Sequence, residues 1–129
     1  MQRTATGIFE VAIVPQTDRE IPMFGRMTID KQFHGALEGT SQGQMLSAGT
    51  AVKGSAGYVA MERVEGTLDG KKGSFALQHT ATMNRGEPSL TIIIVPDSGT
   101  DELEGISGTL NIRREDGKHF YDLTYTLKK

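Results

Sequence analysis

The chain has 129 residues, 23% of them charged, with a formal net charge of −2 at pH 7 and no cysteine. This length supports one domain with a single sizeable core, so we assign residues 1–129 to a single domain. The lack of cysteine excludes disulfides and thiolate chemistry and fits a reducing compartment. The charge balance excludes the basic surface that nucleic acids and anionic membranes attract.

The first residues, MQRTATGIFEV, lack the basic start, apolar run and small-residue cleavage site of a signal peptide. The longest apolar segment, residues 90–96, is far shorter than the roughly 20 residues that a transmembrane helix needs. We therefore expect a soluble, cytoplasmic protein that binds neither nucleic acid nor membrane.

Alternating apolar and polar residues predict strands along the whole chain, and no segment has a convincing helical period. The 16 glycines favour tight turns. Residues 33–36 (FHGA) fit either a turn or a bend inside one long strand, so the second and third strands are the least defined. In chain order the predicted strands are 5–14, 26–33, 36–47, 57–68, 73–83, 89–96, 105–114 and 119–127.

The fourth and fifth strands flank a predicted turn at residues 69–72 (DGKK). If Leu68 faces Gly73, then Glu62 faces His79. A shift of two residues keeps the same faces and makes Glu62 a diagonal neighbour of His79. In both registers the carboxylate and the imidazole share one apolar face. The other residues on that face include Tyr58, Val64, Phe75 and Leu77.

A turn at Arg85-Gly86 joins the fifth and sixth strands. The sixth strand is apolar on both sides, and its outer face carries Thr91, Ile93 and Val95. A subunit interface or the N-terminal segment could cover that face, and we predict a homo-oligomer, most simply a dimer. The register predicted from this turn pairs Ala81 with Leu90, His79 with Ile92, Leu77 with Ile94 and Phe75 with Pro96.

Asp116-Gly117 is a strong signal for a two-residue turn between the last two strands. A meander with one filled apolar face predicts an all-β, antiparallel, eight-stranded barrel, closed or nearly closed. A two-sheet sandwich is the alternative. The register predicted from this turn pairs Ile112 with Tyr121, Leu110 with Leu123, Gly108 with Tyr125 and Ile106 with Leu127.

Six strings along the chain match a known family: GIF at 7–9, LEGT at 37–40, YVAME at 58–62, GTLDG at 66–70, GSFALQH at 73–79 and VPDSGT at 95–100. Together they resemble the uncharacterised bacterial family catalogued as domain of unknown function 3224, over nearly the whole chain. The resemblance implies an allene-oxide-cyclase-like barrel and no particular activity, because the family has none assigned. Asp101 stands where the family pattern has glycine, which makes this loop more acidic.

Glu62 and His79 are the candidate catalytic residues. A carboxylate that accepts a proton from an imidazole orients the ring, and such a pair in an apolar barrel could move a proton on a ligand. The alternative is a buried, mutually satisfied pair that fixes strand register. Either role predicts a direct or one-water hydrogen bond between the two side chains.

The candidate ligand-binding residues are Tyr58, Phe75, Leu77, Tyr121 and Tyr125, all predicted on the inner face. Tyrosine hydroxyls there could donate hydrogen bonds to a ligand carbonyl. The alternative is that the tyrosines are core residues whose hydroxyls reach the barrel ends.

No metal site or cofactor is predicted. Residues 97–104 (DSGTDELE) offer oxygen ligands without the spacing of a calcium loop, which favours a solvated turn. His34 and His119 lie near predicted turns, with no metal-ligand spacing to His79.

Three functional hypotheses follow. The first is a small-molecule-binding barrel for a modest apolar ligand with a polar group near Glu62 and His79. The second is an isomerase or cyclase with Glu62 as base and His79 or Tyr58 as donor. The third is a filled barrel used for assembly. A cavity of roughly 300 Å³ or more, open at one end and reaching Glu62, would separate the first two from the third.

Overall fold

A computed structural model of the chain describes residues 2–16 and 23–127. These residues form eight strands and one short 3₁₀ helix, Asp101–Leu103, and none of their helices could cross a membrane. The strands are β1 (Gln2–Pro15), β2 (Phe24–Gly35), β3 (Leu37–Gly49), β4 (Ala56–Leu68), β5 (Lys71–Asn84), β6 (Glu87–Ile94), β7 (Ser107–Glu115) and β8 (Lys118–Thr126).

The strands form a closed antiparallel barrel in chain order. Each strand pairs with the next, and β1 closes the barrel by pairing with both β2 and β8. The predicted eight-stranded barrel is confirmed, and the sandwich alternative is wrong. Because β1 belongs to the wall, it does not cover the outer face of β6.

Two of the three predicted hairpin registers are confirmed within the strands. Ile112 faces Tyr121 across β7 and β8, and His79 faces Ile92 across β5 and β6. The outermost predicted pairs, at Pro96 and Ile106, fall beyond the ends of β6 and β7. The two-residue turns fix these registers because a turn of defined length leaves one pairing.

In the hairpin between β4 and β5, the strand register is shifted by two residues from the one in which Leu68 faces Gly73. Leu68 faces Lys71, so the turn is Asp69-Gly70 alone and not the predicted residues 69–72. Both turn residues have positive φ, 48° and 85°, as in the type I′ turn that matches strand twist. Glu62 therefore faces Leu77, and direct opposition to His79 is wrong; the two side chains are diagonal neighbours on one face.

The segment between β2 and β3 is a tight turn and not a bend. β2 ends at Gly35, and Ala36 alone separates it from β3. Gly35 has φ of +114°, which residues with a Cβ rarely adopt.

Large side chains fill one end of the barrel. The segment between β6 and β7 folds over that end, with Leu103 and Ile106 both buried. Its hydroxyl groups accept backbone hydrogen bonds from β5: Ser98 from Ala76 at 3.0 Å, and Thr100 from Ser74 at 3.0 Å. The predicted solvated turn at 97–104 is therefore a partly buried cap. The packed core includes Phe33, Leu37, Val64, Leu68, Phe75, Leu77, Tyr121, Leu123 and Tyr125.

The opposite end, which we call the mouth, is less closely packed, and its inward side chains Met83 and Leu90 are 42% and 43% exposed. There the loop between β3 and β4 meets the turn between β5 and β6, and Ser55 Oγ accepts a hydrogen bond from the Arg85 amide at 3.0 Å. Within residues 2–16 and 23–127, the barrel is thus packed at one end and has a cavity at the other.

Candidate functional site

Four adjacent strands each contribute one inward polar side chain to the middle of the barrel. Lys31 comes from β2, Ser41 from β3, Glu62 from β4 and His79 from β5. Strand alternation directs all four inward, and all are buried, with exposed fractions of 6% or less. We call these four residues the Glu62 network.

Glu62 is the acceptor at the centre of this network. Its Oε1 lies 2.9 Å from Lys31 Nζ and 2.5 Å from His79 Nε2, and its Oε2 lies 2.5 Å from Ser41 Oγ. His79 therefore donates its Nε2–H to the carboxylate, because the carboxylate has no proton to give. The predicted direct hydrogen bond between Glu62 and His79 is confirmed.

The network keeps Glu62 ionised. Burial by itself would raise the pKa of Glu62, but the His79 hydrogen bond, the Lys31 charge and the Ser41 hydrogen bond together lower this pKa to about 2. At neutral pH the carboxylate is therefore a firmly held anion with little tendency to take up a proton.

Lys31 has aromatic neighbours as well as a counter-ion. Its Nζ lies 4.9 Å from the ring centroid of Phe9 and 5.9 Å from that of Phe33. Cation–π attraction and the Glu62 carboxylate together make a buried ammonium tolerable.

Sequence reasoning missed Lys31 and Ser41. The signal for Lys31 was present, because it alternates with Ile29 and Phe33, both of which point inward. Ser41 carried no comparable signal, since the inward face of β3 includes glycines and serines with weak apolar character.

Gly43 makes room for Glu62 on the neighbouring strand. Gly43 faces Glu62 across β3 and β4, and a Cβ on Gly43 would lie 2.2 Å from the Met61 carbonyl oxygen and 2.7 Å from Glu62 Cβ. We expect Gly43→Ala to lower the free energy of unfolding by about 1–3 kcal/mol. Gly49→Ala, on the same strand with no atom within 4 Å, is the control. Equal effects of both changes in urea unfolding would contradict this account.

The mouth holds a cavity of about 360 Å³ between β3, β4, β5 and β6. Its lining is uncharged and mostly apolar. The cavity ends at Tyr58 and reaches neither Glu62 nor His79, so it meets the expected size but stops short of the network. The lining side chains include Ser47, Ala56, Tyr58, Ala81, Met83 and Leu90.

Tyr58 connects the cavity with the Glu62 network. Its side chain is half-buried, and its hydroxyl makes no hydrogen bond within the described residues. Burial raises the pKa of Tyr58, and the Glu62 charge raises it further. Glu62 lies four residues further along the same inward face of β4, beyond Ala60, so Tyr58 is the lining residue of β4 that is nearest in sequence to the carboxylate.

The other four predicted ligand-binding residues lie in the packed end. Phe75 and Leu77 are fully buried core. Tyr121 OH accepts a hydrogen bond from the Leu37 amide at 2.9 Å, and Tyr125 OH donates to the Asp69 carboxylate. These four side chains pack the core and do not line the cavity.

A larger concavity, about 570 Å³, lies on the outside of β1, β2 and β3. Exposed polar side chains such as Glu10, Asp30 and Gln42 contribute to its lining. Ligand sites are usually enclosed and mostly apolar, so the mouth cavity is the stronger candidate despite its smaller volume.

The two remaining histidines lie apart from the network. His34 Nε2 is 2.9 Å from Glu10 Oε1 at the surface, and the His119 ring packs 5.1 Å from that of Phe9. Within residues 2–16 and 23–127, no group of three histidine, aspartate or glutamate side chains is placed to hold a metal ion.

Comparisons with known proteins identify relatives but no activity. The family model described as protein of unknown function (DUF3224) matches residues 5–125. A crystal structure of a DUF3224-family protein of unknown function from Shewanella oneidensis MR-1 is 46% identical, with a TM-score of 0.93. The match covers 100% of this chain and 99% of that one. No curated protein matches.

Proposed function

Since the chain belongs to the DUF3224 family, whose function is unknown, we propose from the site alone that it is a small-molecule-binding barrel. The ligand is modest and apolar, and its polar group lies towards Tyr58, on the side of the cavity that faces the Glu62 network. The observation that carries the proposal is the uncharged cavity of about 360 Å³ at the mouth, which is within the usual range for ligand pockets.

The cavity volume sets the ligand size. At roughly 30 Å³ for each water-sized group, about 360 Å³ holds roughly a dozen non-hydrogen atoms. If each non-hydrogen atom contributes roughly 0.5 kcal/mol to the binding free energy, a ligand of about eleven such atoms binds with about 5.5 kcal/mol. This corresponds to a Kd on the order of 0.1 mM. The natural ligand should bind more tightly than a simple probe of this size.

Filling the cavity should abolish binding. Ala81 lines the cavity opposite Tyr58, so Ala81→Leu places a larger side chain in the ligand's space. We expect the wild type, and not this variant, to bind 2-decanone or decanoate, measured by amide chemical shifts of residues 56–58 and 81–83. Ala12→Leu, on the exposed outer wall, is the matched control. If neither probe shifts these amides at about 1 mM, well above the expected Kd, the proposal fails.

An isomerase or cyclase on the same scaffold is the second candidate. It would use Glu62 as base and His79 or Tyr58 as donor. A general base works best with a pKa near the operating pH. Three donors occupy Glu62 and lower its pKa to about 2, which favours binding without proton abstraction.

We also propose that two copies of the chain associate through the barrel wall. The predicted outer face of β6 is only partly apolar, with Thr91 exposed and Ile93 and Val95 half-buried. It continues onto β3 and β4, where Leu46, Val59 and Met61 are 48%, 51% and 50% exposed. Gln78 and Thr80, which lie on the outer face of β5 between these groups, are uncharged, and Arg26 lies at the edge of the face beside Leu46. Association would therefore bring mostly uncharged side chains together.

A charge in this face should separate the copies. We expect Val59→Lys to give a monomer by sedimentation at tens of micromolar, on the order of usual homodimer concentrations. Val52→Lys, an exposed valine in the loop between β3 and β4, adds the same charge outside the face and should leave the dimer intact. A wild-type protein that is already monomeric would rule out this assembly.

A cytoplasmic location and an allene-oxide-cyclase-like relationship complete the proposal. The lack of cysteine supports a reducing compartment, and the closed eight-stranded barrel supports the fold relationship. Cell fractionation that recovers the protein outside the cytoplasm would overturn the first of these.

A further inference from the structure

We infer that the ligand enters the mouth cavity with an uncharged hydrogen-bond acceptor leading, and that the Tyr58 hydroxyl donates to it. This inference rests on the proposed function and adds the chemical class: a ketone, ester, ether or alcohol of about ten carbons, and not a fatty-acid anion. The inference depends on the uncharged lining of the cavity, on the Tyr58 hydroxyl and on the pairing of Lys31 with Glu62.

Among the described residues, none that lines the cavity offers a cation to a ligand carboxylate. The described lining consists of glycine, alanine, proline, serine, threonine, methionine, leucine and one tyrosine. An anion placed there would lose its hydration without gaining a counter-ion, which is costly. The uncharged lining therefore selects an uncharged ligand.

Lys31, the buried lysine of the described residues, is already paired with Glu62. Lys31 Nζ lies 2.9 Å from Glu62 Oε1 and faces the rings of Phe9 and Phe33. Pairing with a ligand carboxylate would require Lys31 to leave Glu62 and strand that carboxylate in the core. The Glu62 network therefore cannot serve as an anion site without breaking.

Tyr58 supplies the complementary donor. Its hydroxyl has no hydrogen-bond partner in the described part of the chain, although the side chain lines the cavity and is half-buried. No buried side-chain polar atom of the described residues lacks a partner, so this hydroxyl is open to solvent and can donate to a ligand acceptor in place of water. Burial and, second to it, the Glu62 charge raise the pKa of Tyr58, so the phenol stays a neutral donor and its surroundings disfavour a further negative charge.

The test compares 2-decanone with decanoate, which have equal chain length and differ in charge. At about pH 7, where the decanoate is ionised, we expect it to bind at least about tenfold more weakly than the ketone. Lowering the pH towards the pKa of decanoate should narrow this difference, because the protonated acid is neutral. Both affinities come from amide-shift titrations of the full chain.

Tyr58→Phe isolates the hydroxyl. We expect this variant to bind 2-decanone about five- to tenfold more weakly, while binding of decane-like hydrocarbon is unchanged. Thr80→Val, which removes an outward hydroxyl from the next strand, is the control and should leave ketone binding unaffected.

Different results would refute this inference and the proposed function. If decanoate binds as tightly as the ketone, and Arg85→Gln or Lys53→Gln weakens it, the head group lies at the rim and the inference is wrong although the barrel still binds ligands. Unchanged ketone binding in Tyr58→Phe would also overturn it. If neither probe enters the cavity, the proposed function itself fails.

Discussion

Glu62→Ala is expected to lower the free energy of unfolding by about 3–5 kcal/mol, because it leaves a buried ammonium without its counter-ion. Lys31 is 6% exposed and its Nζ lies 2.9 Å from the Glu62 carboxylate, while Ser41 and His79 lose their acceptor at the same time. Urea unfolding at neutral pH measures the loss. A loss below about 1 kcal/mol would mean that water reaches the network freely.

Two further variants separate charge from hydrogen bonding. Glu62→Gln keeps an acceptor oxygen and removes the charge, so it should cost less than alanine. Replacing only Glu62 and His79 with apolar residues should not restore stability, because Lys31 stays charged and buried. The triple change Lys31→Met, Glu62→Leu and His79→Leu should restore most of it, since packed apolar groups often replace buried ion pairs at no cost, and the Ser41 hydroxyl that loses its acceptor accounts for the remainder.

The triple variant also tests what the network does for the ligand. If the network only stabilises the barrel, the triple variant should fold and bind 2-decanone with wild-type affinity. If the network positions Tyr58, stability should return but binding should weaken. Ketone titration of the refolded triple variant distinguishes the two roles.

The closed barrel could be predicted because two turns are unambiguous in the sequence. Asp116-Gly117 and Arg85-Gly86 each allow one hairpin register, and both registers are found. Residues 69–72 (DGKK) instead fit a loop of two or four residues, and the type I′ geometry at Asp69-Gly70 selects the shorter one. A register error of two residues leaves every side chain on its predicted face of the sheet, so the prediction still placed Glu62 and His79 on the same inward face.

Alternation and turn signals in the sequence could not predict the complete Glu62 network or the end of the barrel that holds the cavity. Lys31 and Glu62 are 31 residues apart, and their contact depends on how β2, β3 and β4 pair, which no turn signal fixed. Alternation also does not say which end of a barrel is filled. That depends on Leu103 and Ile106 folding back over one end, a packing event outside the strands. Tyrosines at equivalent inward positions therefore have different fates: Tyr58 lines the cavity, whereas Tyr121 is core.

Acid is expected to remove the stabilisation that comes from ionised Glu62. The pKa of Glu62 is about 2 in the folded protein, below its ordinary value of 4.5, so its contribution is fully present above pH 4.5 and is lost as the pH falls towards 2. The difference corresponds to about 3 kcal/mol at roughly 1.4 kcal/mol per pH unit. Other carboxyl groups also titrate in this range, so the wild type must be compared with the triple variant, which keeps those groups and lacks Lys31, Glu62 and His79. Between about pH 6 and pH 2.5, the wild type should lose about 2–3 kcal/mol more than the triple variant in urea unfolding. Parallel losses in the two proteins would show that Glu62 is not held as an anion, and a greater loss in the triple variant would reverse the assigned direction of the pKa shift.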